Sequence, residues 1–196
     1  MGHHGVVTTT ASGGARQLWV LRHARAADRP PGGGPDRERP LTEQGRADAR
    51  ALGHLLAGDP PDLDGTDPAT PLIRPQVALC SAAVRTRQTA ELVLGARADT
   101  VPLDAFHSLY DAEVDTALTY LREIDEHARS VLLVGHNPTV AELAAVLQAD
   151  DAPGRTRLER EGFPPCALAV LALAVDGWED VAPGCGRLLV LAAPPW

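Results

Sequence analysis

The sequence contains no lysine, so all 18 of its basic residues are arginines. It also has 18 glycines and 17 prolines, and together these features indicate a compositional bias of the source genome. A single arginine therefore carries little functional information in this chain. An arginine is functionally informative here only where it is placed beside other chemically active side chains.

Cysteine is also scarce. Cys80, Cys166 and Cys185 are an odd number without metal-type spacing, so the sequence suggests neither a disulfide framework nor a zinc site. The apolar run "ALAVLALAV" at 167–175 is too short to cross a bilayer, which needs about 20 residues. The N-terminus lacks a charged segment followed by a long apolar run, as a secretory signal would have. We therefore expect a cytoplasmic protein.

Positive charge is in deficit, because 26 acidic residues outnumber 18 basic ones and give a net charge of −8. This balance argues against a general affinity for nucleic acid or for an anionic membrane. Any phosphate-binding site must therefore be local.

The length of 196 residues and the apolar fraction of 44% predict one folded domain, which we place at 17–196. Residues 1–16 are small, polar and glycine-rich, and we interpret them as a disordered tail. His3 and His4 belong to that tail and have no further ligand nearby in sequence, so we predict no metal site.

Apolar runs alternate with helical patterns along the rest of the chain. The runs are near-continuous, as in strands whose two faces are both covered by helices. We therefore predict a three-layer α/β/α sandwich with a mostly parallel central sheet. The predicted strands are 17–22, 77–81, 131–135, 166–175 and 187–193, and the predicted helices are 43–57, 84–95, 115–128 and 140–148.

Two connections, 28–40 and 58–76, are long and rich in proline, glycine and aspartate. Loops of this length often cover a site. We expect 28–40 to border the site and 58–76 to lie on the far side. The glycines at 32–34 lack a strand-turn-helix setting, so a dinucleotide-binding loop is disfavoured.

Four cationic or titratable side chains follow predicted strands. Arg22 and His23 end the first strand, Arg85 lies in the helix after "VALCS", and His136 follows "VLLVG" directly. Ligands of open α/β sheets bind beyond the carboxyl ends of the strands, where helix N-termini also point. In the segment "HNPTVAEL", we expect Pro138 at the first helical position and Asn137 as its cap.

Two arginines and two histidines without a carboxylate cluster favour a phosphoryl group as ligand, because arginine forks match its oxygens. The chain lacks a serine or cysteine nucleophile motif, so a histidine is the natural nucleophile, and His23 is the candidate. Each residue alone is better explained as structural or as a solvated charge. Only their shared location favours a catalytic interpretation.

These motifs resemble a known family. "LRHARA", "RPLTEQGRADARALGHLL", "LCSAAVRTRQTAELV" and "VLLVGHNP" are similar, in order and spacing, to the signature blocks of the histidine phosphatase superfamily, also called phosphoglycerate mutase-like. The resemblance covers essentially residues 17–193. The short length and the "RPLT" element are most similar to the small bacterial branch that contains the phosphohistidine phosphatase SixA.

The resemblance implies that His23 accepts the phosphoryl group while Arg22, Arg85 and His136 bind its oxygens. It implies a phosphohistidine intermediate that water hydrolyses, with no metal and no organic cofactor. Arg39 and Thr42 would border the site.

The sequence departs from the family pattern at two places. Ala24 replaces the usual glycine after the histidine, and we expect phosphate to approach nonetheless because alanine is small. The block "FHSLYDAEVD" at 106–115 lacks the Leu-x-Glu pattern that supplies a proton donor in larger relatives. Nearby candidates for that donor are Glu113 and Asp111, with Asp28 on the 28–40 loop. Asp36 lies on the same loop, and ordinary solvated charge explains each of these carboxylates better.

The absence of the family's proton-donating acid has a physical interpretation. An ester oxygen must be protonated as it leaves, whereas the leaving imidazole of phosphohistidine can take a proton from solvent at its other nitrogen. The leading hypothesis is therefore a phosphatase acting on phosphohistidine in proteins. The alternatives are a phosphatase of small phosphorylated metabolites, such as sugar or nucleotide phosphates, and an inert phosphate-binding module. Whether the 28–40 loop closes over a ligand stays open at this point.

Overall fold

The computed structural model describes residues 16–58, 63, 70–150 and 152–196. The strands in this part of the chain are β1 (Arg16–Arg22), β2 (Val77–Ser81), β3 (Leu103–Phe106), β4 (Ser130–Gly135), β5 (Leu168–Leu173) and β6 (Gly186–Ala192). The helices are α1 (Glu43–Ala57), α2 (Val84–Leu94), α3 (Val114–Arg122), α4 (Thr139–Val146) and α5 (Pro153–Glu161). None of these helices has both the length and the apolar character needed to span a membrane.

The strands form one mixed sheet in the order β3-β2-β4-β1-β5-β6. Strands β3, β2, β4 and β1 are parallel, whereas β5 and β6 run antiparallel to their neighbours. The predicted α/β class with a mostly parallel sheet is confirmed. Strand β1 lies at the centre, between β4 and β5, so its carboxyl end is surrounded by other elements.

Each face of the sheet carries its own hydrophobic core. Helices α1 and α2 pack on one face, where Leu52 and Ala90 meet Trp19 and Leu21 of β1. Helices α3, α4 and α5 pack on the other, where Leu143 meets side chains of β1 and β4. Alternate residues of β1 thus enter opposite cores, which explains its unbroken apolar pattern.

Two elements were missed by the sequence patterns. Strand β3 is an edge strand whose Asp104 and Ala105 are exposed, so it has no continuous apolar run. Helix α5 buries only Leu158 and therefore shows no apolar period. Helix α3 also ends at Arg122 instead of the predicted 128, and the Asp125 side chain accepts the backbone N–H of His127 in the turn that follows.

The predicted boundary of the tail was wrong by one residue. Arg16 is the first residue of β1, is 8% exposed, and donates from Nη2 to the carbonyl oxygen of Glu126 at 3.1 Å. The remainder of the predicted tail, 1–15, lies outside the described residues.

The described part of the 58–76 connection contacts the amino ends of the central strands. Gln17 Nε2 donates to the carbonyl oxygen of Pro71 at 2.9 Å, and Ser130 Oγ donates to that of Ile73 at 2.8 Å. For residues 70–76 the predicted position, on the side opposite the carboxyl ends, is confirmed.

Candidate active site

The pairing of β1 with β4 brings the two histidines together. Arg22 is in register with Gly135, so the residues that follow, His23 and His136, leave the sheet side by side. The backbone N–H of His23 donates to the carbonyl oxygen of Gly135 at 3.0 Å. The two imidazole rings lie edge to face, with centroids 5.1 Å apart.

One nitrogen of His23 is fixed by the backbone. Nδ1 lies 2.8 Å from the carbonyl oxygen of Ala24, and a carbonyl can only accept, so Nδ1 carries the proton. The lone pair of the neutral ring is therefore on Nε2. Burial foremost, with smaller contributions from the nearby charges of Arg85 and Arg22, lowers the pKa of His23 to about 4. At neutral pH the ring is uncharged, with a free basic nitrogen.

His136 is also neutral at neutral pH. Burial lowers its pKa to about 3, with smaller contributions from His23 and Arg85. Its Nε2 lies 2.9 Å from Oγ of Ser81, at the end of β2. The ring of Tyr110 stands edge to face against it, with centroids 5.3 Å apart.

Asn137 and Pro138 differ from the sequence prediction. Pro138 occupies the cap position of α4, and the helix begins at Thr139. Asn137 does not cap the helix, since its Nδ2 donates to the carbonyl oxygen of Phe163 at 2.9 Å. Asn137 thus ties the segment after His136 to the chain before β5.

Both predicted arginines reach this edge of the sheet. Arg22 is half-buried and donates from Nη1 to the carbonyl oxygen of Phe163 at 2.8 Å. Arg85, in the first turn of α2, is only 4% exposed. Within the described residues, the buried Nε atoms of Arg22 and Arg85 have no hydrogen-bond partner. Buried donors without an acceptor are costly in a protein, and an oxyanion would satisfy them.

The 28–40 loop borders the site, as predicted, and contributes a carboxylate. Asp36 places Oδ1 2.6 Å from Nε of Arg39 and Oδ2 3.1 Å from Nη2 of Arg85, and the hydroxyl of Tyr110 donates to Oδ2. These partners, Tyr110 foremost, lower the pKa of Asp36 to about 2. The interpretation of Asp36 as an ordinary solvated charge was wrong.

Thr42, expected to border the site, has a structural role. Its Oγ1 accepts the backbone N–H of Gly45 at 3.0 Å and donates to the carbonyl oxygen of Arg25 at 3.1 Å. Thr42 therefore caps α1 and fixes the backbone shortly after His23.

The methyl group of Ala24 belongs to the core on the α1 side and is fully buried. Its backbone N–H donates to Oγ1 of Thr89 at 3.0 Å. The alanine that replaces the family glycine thus packs into the interior, next to α1 and α2.

The three candidate proton donors are all exposed. Asp111 and Glu113 line a groove of about 600 Å³ that begins at His136, whereas Asp28 lies on the 28–40 loop. Asp115 and Glu142 line the same groove. This groove is therefore acidic, in contrast to the arginine-lined site beside it.

Sequence reasoning gave no role to Tyr110 or Asp36, both of which contact Arg85 or His136. A signal existed for each: Tyr110 lies in the atypical 106–115 block, and Asp36 lies on the loop predicted to border the site. Ser81 lies within the quoted "LCSAAVRTRQTAELV" block, but sequence reasoning gave it no role.

Comparisons with known proteins identify the family of the chain. The model of the histidine phosphatase superfamily (branch 1) matches residues 18–115. The protein Rv1276c of Mycobacterium tuberculosis, named only as uncharacterized, is 32% identical over 176 residues, which cover 89% of this chain and 99% of the relative.

Two solved structures are similar over nearly the whole chain, and both are named as candidate phosphohistidine phosphatases SixA. The protein from Nakamurella multipartitia is 31% identical with a TM-score of 0.71, covering 93% of this chain and 98% of the other. The protein from Agrobacterium tumefaciens is 30% identical with a TM-score of 0.69, covering 91% and 98%. By sequence and by structure, the chain belongs to the histidine phosphatase superfamily (branch 1).

Proposed function

We propose that the protein is a phosphatase with His23 as nucleophile, and that its substrate is phosphohistidine in a protein. The observation that carries this proposal is the contact between Nδ1 of His23 and the carbonyl oxygen of Ala24 at 2.8 Å. It fixes the tautomer, so Nε2 offers its lone pair without a prior proton transfer. The low pKa of His23, about 4, keeps that lone pair available at neutral pH.

The reaction has two displacements at phosphorus. In the first, Nε2 of His23 forms a bond to phosphorus while the P–N bond of the substrate breaks, and the leaving imidazole takes a proton from solvent at its other nitrogen. In the second, a water oxygen forms a bond to phosphorus, the bond to Nε2 breaks, and inorganic phosphate leaves. His23 returns to its neutral form.

Arg22, Arg85 and His136 would hold the phosphoryl oxygens. The two arginines keep their charge and offer fixed donors where negative charge spreads during transfer. We propose that no metal takes part, since the arginines supply this charge; turnover should then persist in the presence of EDTA.

The acidic groove supports a protein substrate over an anionic metabolite. Asp111, Glu113, Asp115 and Glu142 line it next to His136, so a second phosphate or a carboxylate on the substrate would be repelled there. The two SixA-named structures support the same choice. Such a phosphatase would act in the cytoplasm, as the scarcity of cysteine favours.

A phosphatase of small metabolites is the alternative, and one observation favours it. Asp111 and Glu113 lie in the groove beside His136 and could protonate an ester oxygen. An enzyme that uses one of them should cleave alkyl phosphates well.

Substrate comparison tests the proposal. We expect kcat/KM for a phosphohistidine-bearing carrier protein to exceed that for a panel of sugar and nucleotide phosphates by roughly a hundredfold, the usual contribution of a positioned acid. The control variants are His23→Ala, which should lose turnover, and His54→Ala, an exposed histidine of α1 that should keep it. Comparable values for both substrate classes would favour the metabolite phosphatase, and phosphate binding without turnover would favour an inert module.

A further inference from the structure

Both terminal nitrogens of Arg85 are engaged by a single residue of the 28–40 loop. Nη1 donates to the backbone carbonyl oxygen of Asp36 at 3.0 Å, and Nη2 lies 3.1 Å from its carboxylate Oδ2. The Arg85 side chain is only 5% exposed, so it cannot turn to solvent. A phosphoryl group that reaches this guanidinium meets a fork already paired with a carboxylate.

Asp36 is also held by two other residues. Nε of Arg39 lies 2.6 Å from Oδ1, and the Tyr110 hydroxyl donates to Oδ2. The Asp36 side chain is 52% exposed. The carboxylate can therefore leave Arg85 and keep two partners and access to water. Its pKa of about 2 keeps it charged throughout the neutral range.

We infer that Asp36 is a built-in competitor of the substrate, which occupies the terminal fork of Arg85 and weakens binding of the phosphoryl group. The inference rests on the proposed function, because it takes Arg85 as a phosphoryl ligand. A phosphoryl group can reach the Nε of Arg85, which has no partner within the described residues. It then either lies beside the Asp36 carboxylate, which is unfavourable between like charges, or displaces that carboxylate from Nη2 and breaks the ion pair.

This penalty applies equally to every phosphorylated ligand, so it raises each Kd by the same factor and leaves the ratio between ligands unchanged. Its effect on occupancy of the site is unequal. Inorganic phosphate and small metabolites bind mainly through the phosphoryl group, so the penalty leaves them weakly bound, whereas a protein substrate has further surface to contact and stays bound at lower concentration. Asp36 would thus limit occupancy of the site by product phosphate and by small phosphorylated ligands.

The substitution Asp36→Asn removes the negative charge and one of the two accepting oxygens, since the amide nitrogen of asparagine can only donate. It leaves the backbone contact between Asp36 and Nη1 of Arg85 available, so the loop keeps one anchor to α2. Asp36→Ala is the second variant and also removes the side-chain hydrogen bonds. The matched control is Asp125→Asn, since Asp125 is an exposed aspartate paired with His127 and its substitution changes the net charge by the same amount.

Titration calorimetry with inorganic phosphate, and separately with tungstate, at neutral pH and fixed ionic strength measures the effect. We expect Kd for both anions to fall about tenfold in Asp36→Asn and in Asp36→Ala, and to stay unchanged in Asp125→Asn. If the wild type binds the anions and both Asp36 variants bind them equally well or more weakly, the inference is overturned but the proposed phosphoryl site is not. Absence of anion binding in the wild type and in every variant would overturn the proposed phosphoryl site as well.

Discussion

His23 and His136 stand edge to face with ring centroids 5.1 Å apart. The strands that precede them, β1 and β4, are parallel neighbours whose last residues are in register, so both strands end at the same level of the sheet. Each ring is half-buried and lies near Arg85, and both pKa values fall well below the usual 6.5, to about 4 and about 3. Two neutral imidazoles beside arginine side chains are what the proposed function requires, since the arginines would attract an anion while one imidazole stays uncharged as the nucleophile.

The first prediction concerns pH. Because the nucleophile must be neutral and its pKa is lowered to about 4, kcat/KM should stay level as pH falls from 8 to about 5 and decline only as pH approaches 4. Initial rates with p-nitrophenyl phosphate measure this profile, with circular dichroism at each pH to confirm folding. A half-maximal rate near 6.5 on the acid side would indicate an unperturbed histidine instead.

The same shifts affect stability. In the unfolded chain these histidines are protonated below their usual pKa of about 6.5, whereas in the folded chain His23 is protonated only near pH 4 and His136 only near pH 3. Stability should therefore be fully present above pH 6.5 and decrease as pH falls through the window from 6.5 to about 3. Urea unfolding at several pH values checks the sign, and His136→Asn should reduce the pH dependence.

The second prediction concerns Arg85. Its replacement by alanine removes a phosphoryl donor and both bonds to Asp36, so kcat/KM should fall by roughly a hundredfold or more. Arg87→Ala is the matched control, since Arg87 is an exposed arginine on the same helix and its loss should change kcat/KM less than about twofold. Equal effects of the two substitutions would show that Arg85 has no specific role.

A third prediction addresses the leaving group. If solvent protonates the departing imidazole, Asp111→Asn and Glu113→Gln should each leave phosphohistidine turnover within about twofold of wild type. Single-turnover rates with a phosphorylated carrier protein provide the measurement. A tenfold loss in either variant would identify that carboxylate as a proton donor and favour the alternative function.

A fourth prediction concerns the backbone after His23. A Cβ added at Gly45 would overlap the carbonyl oxygen of Arg25, so α1 packs directly against this segment. Gly45→Ala should reduce the free energy of unfolding by about 1–3 kcal/mol, the usual cost of overpacking, although alanine favours a helix.

Urea denaturation measures that change. The control is Ala47→Gly at an exposed position of α1, which should cost only about 1 kcal/mol through helix propensity. Stabilisation by Gly45→Ala would contradict the close packing.

The elements predicted best from the sequence are those that are extensively buried, because burial leaves an apolar pattern in the sequence. The unbroken apolar runs of β1 and β4 give both the strands and the shared edge that carries His23 and His136. Edge strand β3 and helix α5 were missed because little of either is buried, so neither shows an apolar pattern.

The contacts around Arg85 could not be predicted in the same way. Asp36 and Tyr110 are separated by 74 residues in sequence and meet only because the 28–40 loop folds back over α2. A carboxylate in a proline- and glycine-rich loop looks the same in sequence whether it is solvated or paired. Only tertiary structure distinguishes the two cases.

The account depends most on Nε2 of His23 as the atom that accepts the phosphoryl group. The direct measurement is rapid quenching of the enzyme with a phosphohistidine-bearing carrier protein, followed by peptide mass spectrometry under alkaline conditions. We predict a phosphoryl group on the peptide that contains His23, with none in His23→Ala and normal labelling in His54→Ala. Two results would contradict the account. One is phosphate release by the wild type without any phosphorylation of His23, and the other is undiminished phosphate release by His23→Ala.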